Sequence, residues 1–247
     1  DEKGQVVRRI KTAAKKGMKR ISWDFYTAPF TPVDLTPFDE SYVFSSPSRG
    51  YMALPGKYTV SLSKFEDGQY AELVAPVPFT CKLLNLATLP AADRTALDAF
   101  NKKVAELSRV AAAADQFRDE LNNKLRYIRQ AVIETPALSL QTSSAVADIE
   151  KQLHDINVAL NGDGSRARRE FETLPGINGR IGYIVYALWN TTSAPTTTQQ
   201  EAYTIAAKQF SPVYRQLKAV GEKLRQLEAE LDKSGAPATP GRLPEWE

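Results

Sequence analysis

Hydrophobic residues recur at spacings of three and four along 198–233: Tyr203, Ala206, Phe210, Val213, Leu217, Val220, Leu224, Leu227 and Leu231. Glu, Lys, Arg and Gln fill most positions between them. This pattern predicts one long helix with an unbroken apolar seam. At a rise of 1.5 Å per residue the helix is roughly 50 Å long, so it needs a companion of similar length to cover it. A second seam runs through Leu97, Phe100, Val104, Leu107, Ala111, Ala114, Leu121, Leu125, Ile128 and Val132, interrupted only at Arg118. It predicts a helix with Pro90 in its first turn, ending before Pro136. A third, Val146, Ile149, Leu153, Ile156 and Leu160, follows a Ser143/Ser144 cap and stops at Asn161-Gly162. A polar loop rich in Arg and Gly leads to a shorter helix over 178–191, and Pro195 with Thr196 to Thr198 starts the last long one. Pro212 removes a backbone donor from that helix and predicts a kink. Residues 89–247 thus read as an up-and-down antiparallel helical bundle with two long helices and an extended Pro/Gly-rich tail.

Residues 1–88 follow a period of two instead. Asp1-Glu2-Lys3-Gly4 reads as a hairpin turn, and 5–10 as the strand after it. No strand precedes that turn, so the chain is expected to be a C-terminal piece of a larger protein, cut at or inside a sheet. Val6 to Ile10 should then lie at an open sheet edge or pair with another molecule's strand. Over 18–25 the alternation puts Ile21, Trp23 and Phe25 toward a core. A proline-rich stretch with Pro29, Pro32, Pro37 and Pro47 reads as one extended loop. Pro55-Gly56 opens a strand over 57–65 with Tyr58, Val60 and Leu62 on one face, and a last strand over 71–84 carries Phe79, Cys81 and Leu83 on one side. The expected class is α+β multidomain: an incomplete β-sandwich of immunoglobulin or fibronectin III type over 1–88, then the bundle.

Charge changes this picture at one place. The net charge is +3 over 247 residues. Residues 1–88 hold 12 basic and 9 acidic side chains, 12 − 9 = +3, while the remainder holds 20 of each. Seven cations fall between positions 8 and 20 with no acid among them: Arg8, Arg9, Lys11, Lys15, Lys16, Lys19 and Arg20. They make a candidate anion-binding patch, for a polyanionic glycan or a lipid headgroup ahead of nucleic acid. The plainer alternative is two solvated strand faces and a turn. No run of about 18 apolar residues offers a transmembrane segment. The single cysteine, Cys81, excludes an internal disulfide framework.

No cluster of residues spells out a reaction. His154 is the only histidine, has no second His or Cys near it in sequence, and reads as packed or surface-exposed. Cys81 lacks a local base and alternates with Phe79 and Leu83, as a small buried hydrophobe does. Asn161-Gly162-Asp163-Gly164-Ser165, with Glu172 twelfth, echoes a calcium loop, but Arg166 stands where the loop needs glycine and Arg168 and Arg169 add positive charge. It reads as a glycine-rich helix stop. Asp24, Asp34, Asp39 and Glu40 are the acids nearest to aromatics, yet a glycosidase pair must face one cleft, and nothing in their spacing sets that up. No catalytic residue, metal site or cofactor is assigned.

Three stretches carry a family resemblance: Gly4-Gln5-Val6-Val7-Arg8, Gly17-Met18-Lys19-Arg20-Ile21-Ser22-Trp23-Asp24, and Leu54-Pro55-Gly56-Lys57-Tyr58-Thr59-Val60. They resemble the immunoglobulin-like domain of flagellar hook-capping type. The tail from Gly235 to Trp246 is similar to the close of large bacterial proteins with BNR-type, sortilin-like β-propellers, although Ala238 stands where an aromatic is expected. Those proteins carry a glycosyl hydrolase label on account of their propellers. The resemblance implies a secreted, periplasmic or envelope-associated bacterial protein whose ligand site or catalysis belongs to an upstream propeller of the same polypeptide. This chain would be its non-catalytic accessory region. A further copy of the chain and a glycan are the other partners expected, with no role for nucleic acid. The alternative functions are a carbohydrate-active module, or a polyanion-binding module that uses the basic 8–20 run.

Overall fold

In a computed structural model, residues 1–36, 41, 48–84 and 89–244 are described. Two strands and five helices follow in order: β1 (Gly56–Glu66), β2 (Gln69–Cys81), α1 (Arg94–Ile133), α2 (Leu140–Asn161), α3 (Gly164–Ala167), α4 (Ile177–Leu188) and α5 (Thr197–Lys233). The class is α+β, and the described residues form one sheet of two strands. The chain makes two compact units. The first is Asp1–Phe30, Leu35–Ala105 and Val185–Thr196; the second is Thr31–Asp34, Glu106–Ile184 and Thr197–Glu247.

The first unit is built on a hairpin. Asp67 and Gly68 both take positive φ (51° and 79°), the geometry of the two-residue turn that matches the twist of the flanking strands. The antiparallel register runs from Gly56 opposite Cys81 to Glu66 opposite Gln69, with irregularities around Leu62. A second structural feature replaces the expected strands at 5–10 and 18–25, neither of which forms. Instead, 25–28 lies beside 50–53. Thr27 N–H donates to Tyr51 O (2.9 Å), Gly50 N–H to Thr27 O (3.1 Å) and Ala53 N–H to Phe25 O (2.7 Å). Val7 is tied into this strap by Ala28 N–H (3.0 Å). The expectation of Val6 to Ile10 as an edge strand is therefore corrected. A ladder needs a second strand for its N–H and C=O groups, and seven like charges after Val7 disfavour side-by-side pairing. The turn at 1–4 is present, closed by Gly4 N–H on Asp1 O at 3.0 Å. A second sheet, which a sandwich needs, does not form among the described residues. Of the proline-rich stretch, Pro37 and Pro47 lie outside them.

Aromatic rings hold this unit. Trp23 sits 5.2 Å from Phe25, 5.5 Å from Tyr58 and 6.2 Å from Phe79. Phe30, Tyr51 and Trp189 form a second group at 5.8–6.0 Å. Of the three residues expected to face a core, Trp23 is half-buried while Ile21 and Phe25 are about half exposed.

The second unit is the helical one, and its seams are those of the sequence. Ala111, Ala114, Leu121, Leu125, Ile128 and Val132 of α1 are buried, as are the five seam residues of α2 and Phe210 to Leu231 of α5. Cross-helix pairs give the directions. Asp115 meets Asn161 and Arg129 meets Glu150, so α1 and α2 are antiparallel. Lys223 meets Gln152 and Glu230 meets Thr142, so α2 and α5 are antiparallel too. Lys124 meets Glu228, and Gly221 faces Phe117, so the two long helices run parallel. The expected antiparallel arrangement therefore holds for α1 with α2 and for α2 with α5, while the long pair does not oppose. Arg118, the break in the α1 seam, is buried with its guanidinium paired to Asp115 (3.2 Å) and bonded to Asn157. This pairing is what permits a charge there.

Helix ends differ from expectation in instructive ways. α1 starts at Arg94, since Asp93 Oδ1 accepts Ala96 N–H (3.0 Å) and caps it, and Pro90 lies outside the helix. α2 starts at Leu140 with Ser139 as its cap residue, ahead of Ser143 and Ser144. It stops where expected, with Gly162 at φ 84°. α5 continues through Pro212. Past α5 the tail turns at Gly235 (φ 63°), with Ala236 N–H on Leu231 O at 3.0 Å. Arg242 then reaches back to Ala236 O (3.1 Å) and Asp232 (3.4 Å). Ala236 and Thr239 are buried. Trp246, expected to lie on an apolar surface, falls outside the described residues. The contacts of Arg242 alone predict that deleting 236–247 lowers the melting temperature by a few degrees. A differential scanning trace identical to that of the full chain contradicts it.

Candidate functional site

The first surface is the hairpin itself. At its base, Tyr58 and Phe79 are stacked at 5.8 Å and covered by Trp23. Beyond that cover, Val60, Leu62, Val74 and Val77 continue the apolar stripe, each between 45% and 58% exposed. Alternation along β1 places Val60 and Leu62 on the face of Tyr58, and the register sets Val77 and Val74 opposite them. The opposite tip carries Phe65 and Tyr70 at 4.6 Å, also exposed. A two-stranded hairpin with an open apolar face is marginal in water, and its stability depends on what covers it. Its two edges differ. Pro76 and Pro78 remove donors from β2, whereas β1 has no proline after Gly56, and its Lys57 N–H is capped by Glu2 Oε1 at 3.0 Å.

The second surface is the basic run. Arg9, Lys11, Lys15, Lys16, Lys19 and Arg20 are exposed, and Arg8 is half-buried with its guanidinium donating to Thr27 O at 3.0 Å. The structure brings all seven into one non-helical, non-strand segment that turns at Gly17 (φ 110°). Among the described residues none of the seven forms a salt bridge.

The third is a groove of about 540 Å³ in the helical unit, floored by Val110, Ala113, Phe117 and Leu217 between α1 and α5. A side chain at Gly221 would meet the Phe117 ring at 3.2 Å, so this glycine lets the ring sit against α5. Its rim cations are already engaged: Arg109 with Glu106 (2.7 Å), Arg225 with Glu222 (2.6 Å), and Lys218 over the Tyr214 ring (4.7 Å).

The remaining candidates resolve into local structure. His154 is exposed on α2. Cys81 is half-buried, and burial pushes its thiol pKa up, away from the thiolate a nucleophile needs. Asp163 is the cap of the short helix α3, which occupies part of the expected polar loop. Its carboxylate accepts Ser165 Oγ–H (2.7 Å) and the N–H groups of Ser165 and Arg166. These bonds, the Ser165 hydroxyl first, hold it below the usual carboxylate range. Among the described residues no three His, Cys, Asp or Glu side chains are grouped to hold a metal ion, and no helix is long and apolar enough to cross a membrane. Asp24 accepts Tyr26 N–H (3.1 Å), and Asp39 and Glu40 lie outside the described residues.

One constellation was not visible in sequence. Tyr51 is buried, and burial, followed by the negative charge of Asp98, pushes its pKa up to about 12. Burial raises Tyr58 as well. The neutral phenol is thus the form the fold favours. Stability from Tyr51 is complete below the unfolded-state value near 10 and is lost as pH rises from there through about 12. A spectrophotometric titration should show a late tyrosinate step that Tyr51→Phe removes; a titration unchanged by the substitution contradicts this.

No family model, curated protein or solved structure matches the chain.

Proposed function

We propose that this chain is a non-catalytic accessory and interaction region of an exported bacterial protein, one that steadies or positions a β-propeller upstream in the same polypeptide and takes part in its assembly. The observation that carries the reading is the β1–β2 hairpin, with an aromatic base covered from within and an apolar stripe beyond it that stays open. In this reading β1 and β2 are neighbouring strands of an immunoglobulin-like sandwich, and the partner polypeptide supplies the cover. The β1 edge receives the added strand, because Pro76 and Pro78 remove two donors from β2. The test has two arms. The reading frame upstream of Asp1 should encode propeller repeats, and that region, produced separately, should bind this chain with loss of affinity in Val60→Asp/Leu62→Asp. Absence of such repeats, or binding indifferent to the hairpin, overturns the proposal. Sustained turnover of a glycan by this chain alone overturns it as well.

A further inference from the structure

We infer that residues 8–20 form a docking element for anionic phospholipid membranes, with Met18 as its inserting tip. Seven cations occupy about 40 Å of extended backbone at most. The loop is anchored at its start, where Ala28 N–H holds Val7 O and Arg8 holds Thr27 O, and it is drawn together across the turn by Lys19 Nζ on Ala13 O. The flanking acids do not reach it: Asp1 accepts the N–H groups of Lys3 and Gln5, Glu2 that of Lys57 and Asp24 that of Tyr26. The positive charge is therefore tethered through Arg8 and Lys19, and none of the seven cations has a carboxylate partner among the described residues.

The apolar residues interleaved with the cations decide the class of anion. Met18 follows the turn glycine and is fully exposed, and Ile10 and Ile21 are about half exposed. A sulfated polysaccharide meets the cations but gains nothing from these three. A bilayer surface uses both, with headgroups pairing to Lys and Arg and the thioether entering the acyl boundary. Single-stranded nucleic acid needs aromatic platforms, and the nearest, Trp23, is packed among Phe25, Tyr58 and Phe79. Each Lys or Arg near an anionic surface contributes about a fivefold gain in binding, which decays within a Debye length.

The test is sedimentation of the full 247-residue chain with vesicles of phosphatidylcholine alone, or mixed with phosphatidylglycerol, and in parallel its retention on immobilised heparin. Binding is expected only to the anionic vesicles, with loss at about 0.5 M salt. Lys15→Gln/Lys16→Gln/Lys19→Gln should weaken it about 100-fold. Met18→Gln should weaken vesicle binding about three- to tenfold and leave heparin retention unchanged. All four positions are exposed, so unchanged circular dichroism verifies the fold. No binding to anionic vesicles at low salt overturns the inference, as does vesicle binding indifferent to the triple variant. Heparin retention with vesicle binding insensitive to Met18 assigns the loop to polysaccharide and overturns it too.

Discussion

Leu224→Ala should lower the stability of the helical unit by about 2–5 kcal/mol, a large share of the ~5–15 kcal/mol that holds a domain together. Leu224 lies in the middle of the α5 seam and is 1% exposed. Its helix is bonded to α2 through Lys223 and Gln152 and paired with α1 through Lys124 and Glu228, so cover comes from two sides. That cover strengthens the prediction, since a cavity lined by two helices collapses less readily. Lys223→Ala, one position away, removes an exposed side chain and one hydrogen bond to Gln152, and should cost within about 0.5 kcal/mol. Denaturant unfolding monitored by helical circular dichroism distinguishes the two. Equal losses in both variants contradict the packing described.

The second large effect belongs to the first unit. A methyl group at Gly50 would lie 2.1 Å from Thr27 Oγ1 and 2.5 Å from the backbone oxygen of Ala28. Backbone cannot swing aside as a side-chain tip does, so Gly50→Ala must part the strap at 25–28 from 50–53. The three hydrogen bonds between Thr27 and Gly50 or Tyr51, two of them backbone to backbone, go with it, and so does the stacking of Phe30 on Tyr51. The expected loss is about 2–4 kcal/mol, seen as a fall in near-ultraviolet dichroism from Trp189 and its neighbours. Gly182→Ala is the control. It adds a methyl group in open space on α4, and should be neutral or stabilise by up to about 1 kcal/mol. Similar losses for both glycines contradict the assigned role of Gly50.

The contrast between these sites shows what was legible in the sequence. Leu224 was readable because helical burial repeats locally every three to four residues, and each seam residue announces the next. The end of α2 at Gly162 was readable for the same local reason. Gly50 was not, because its requirement comes from Thr27 and Ala28, more than twenty residues away, and no period records that meeting. The strands expected at 5–10 and 18–25 failed on the same ground. Alternation there fits a pleat, yet a strand exists only where a second one pairs with it, and the strap took up those backbone groups instead. The parallel run of α1 and α5 was equally hidden, since seams show how much must be covered but not by which neighbour. Of the candidate surfaces, the basic run was visible as charge. Its anchoring through Arg8 and Val7, and the exposure of Met18 beside it, required the fold. The shared face of Tyr58, Val60 and Leu62 was visible as alternation, but that Trp23 packs on Tyr58 while Val60 and Leu62 stay exposed required the fold.

The most direct test of an interaction role for that hairpin is hydrogen exchange, read amide by amide with and without the upstream region that the proposal assigns to the same polypeptide, produced separately. In the isolated chain, amides of 59–75 should exchange much faster than those of α5, because two strands with an uncovered face open easily. With the upstream region added, exchange across β1 should slow by about 100-fold or more, while the α5 amides stay as they were. Hairpin amides as slow as α5 in the isolated chain, or unchanged on addition, contradict the account.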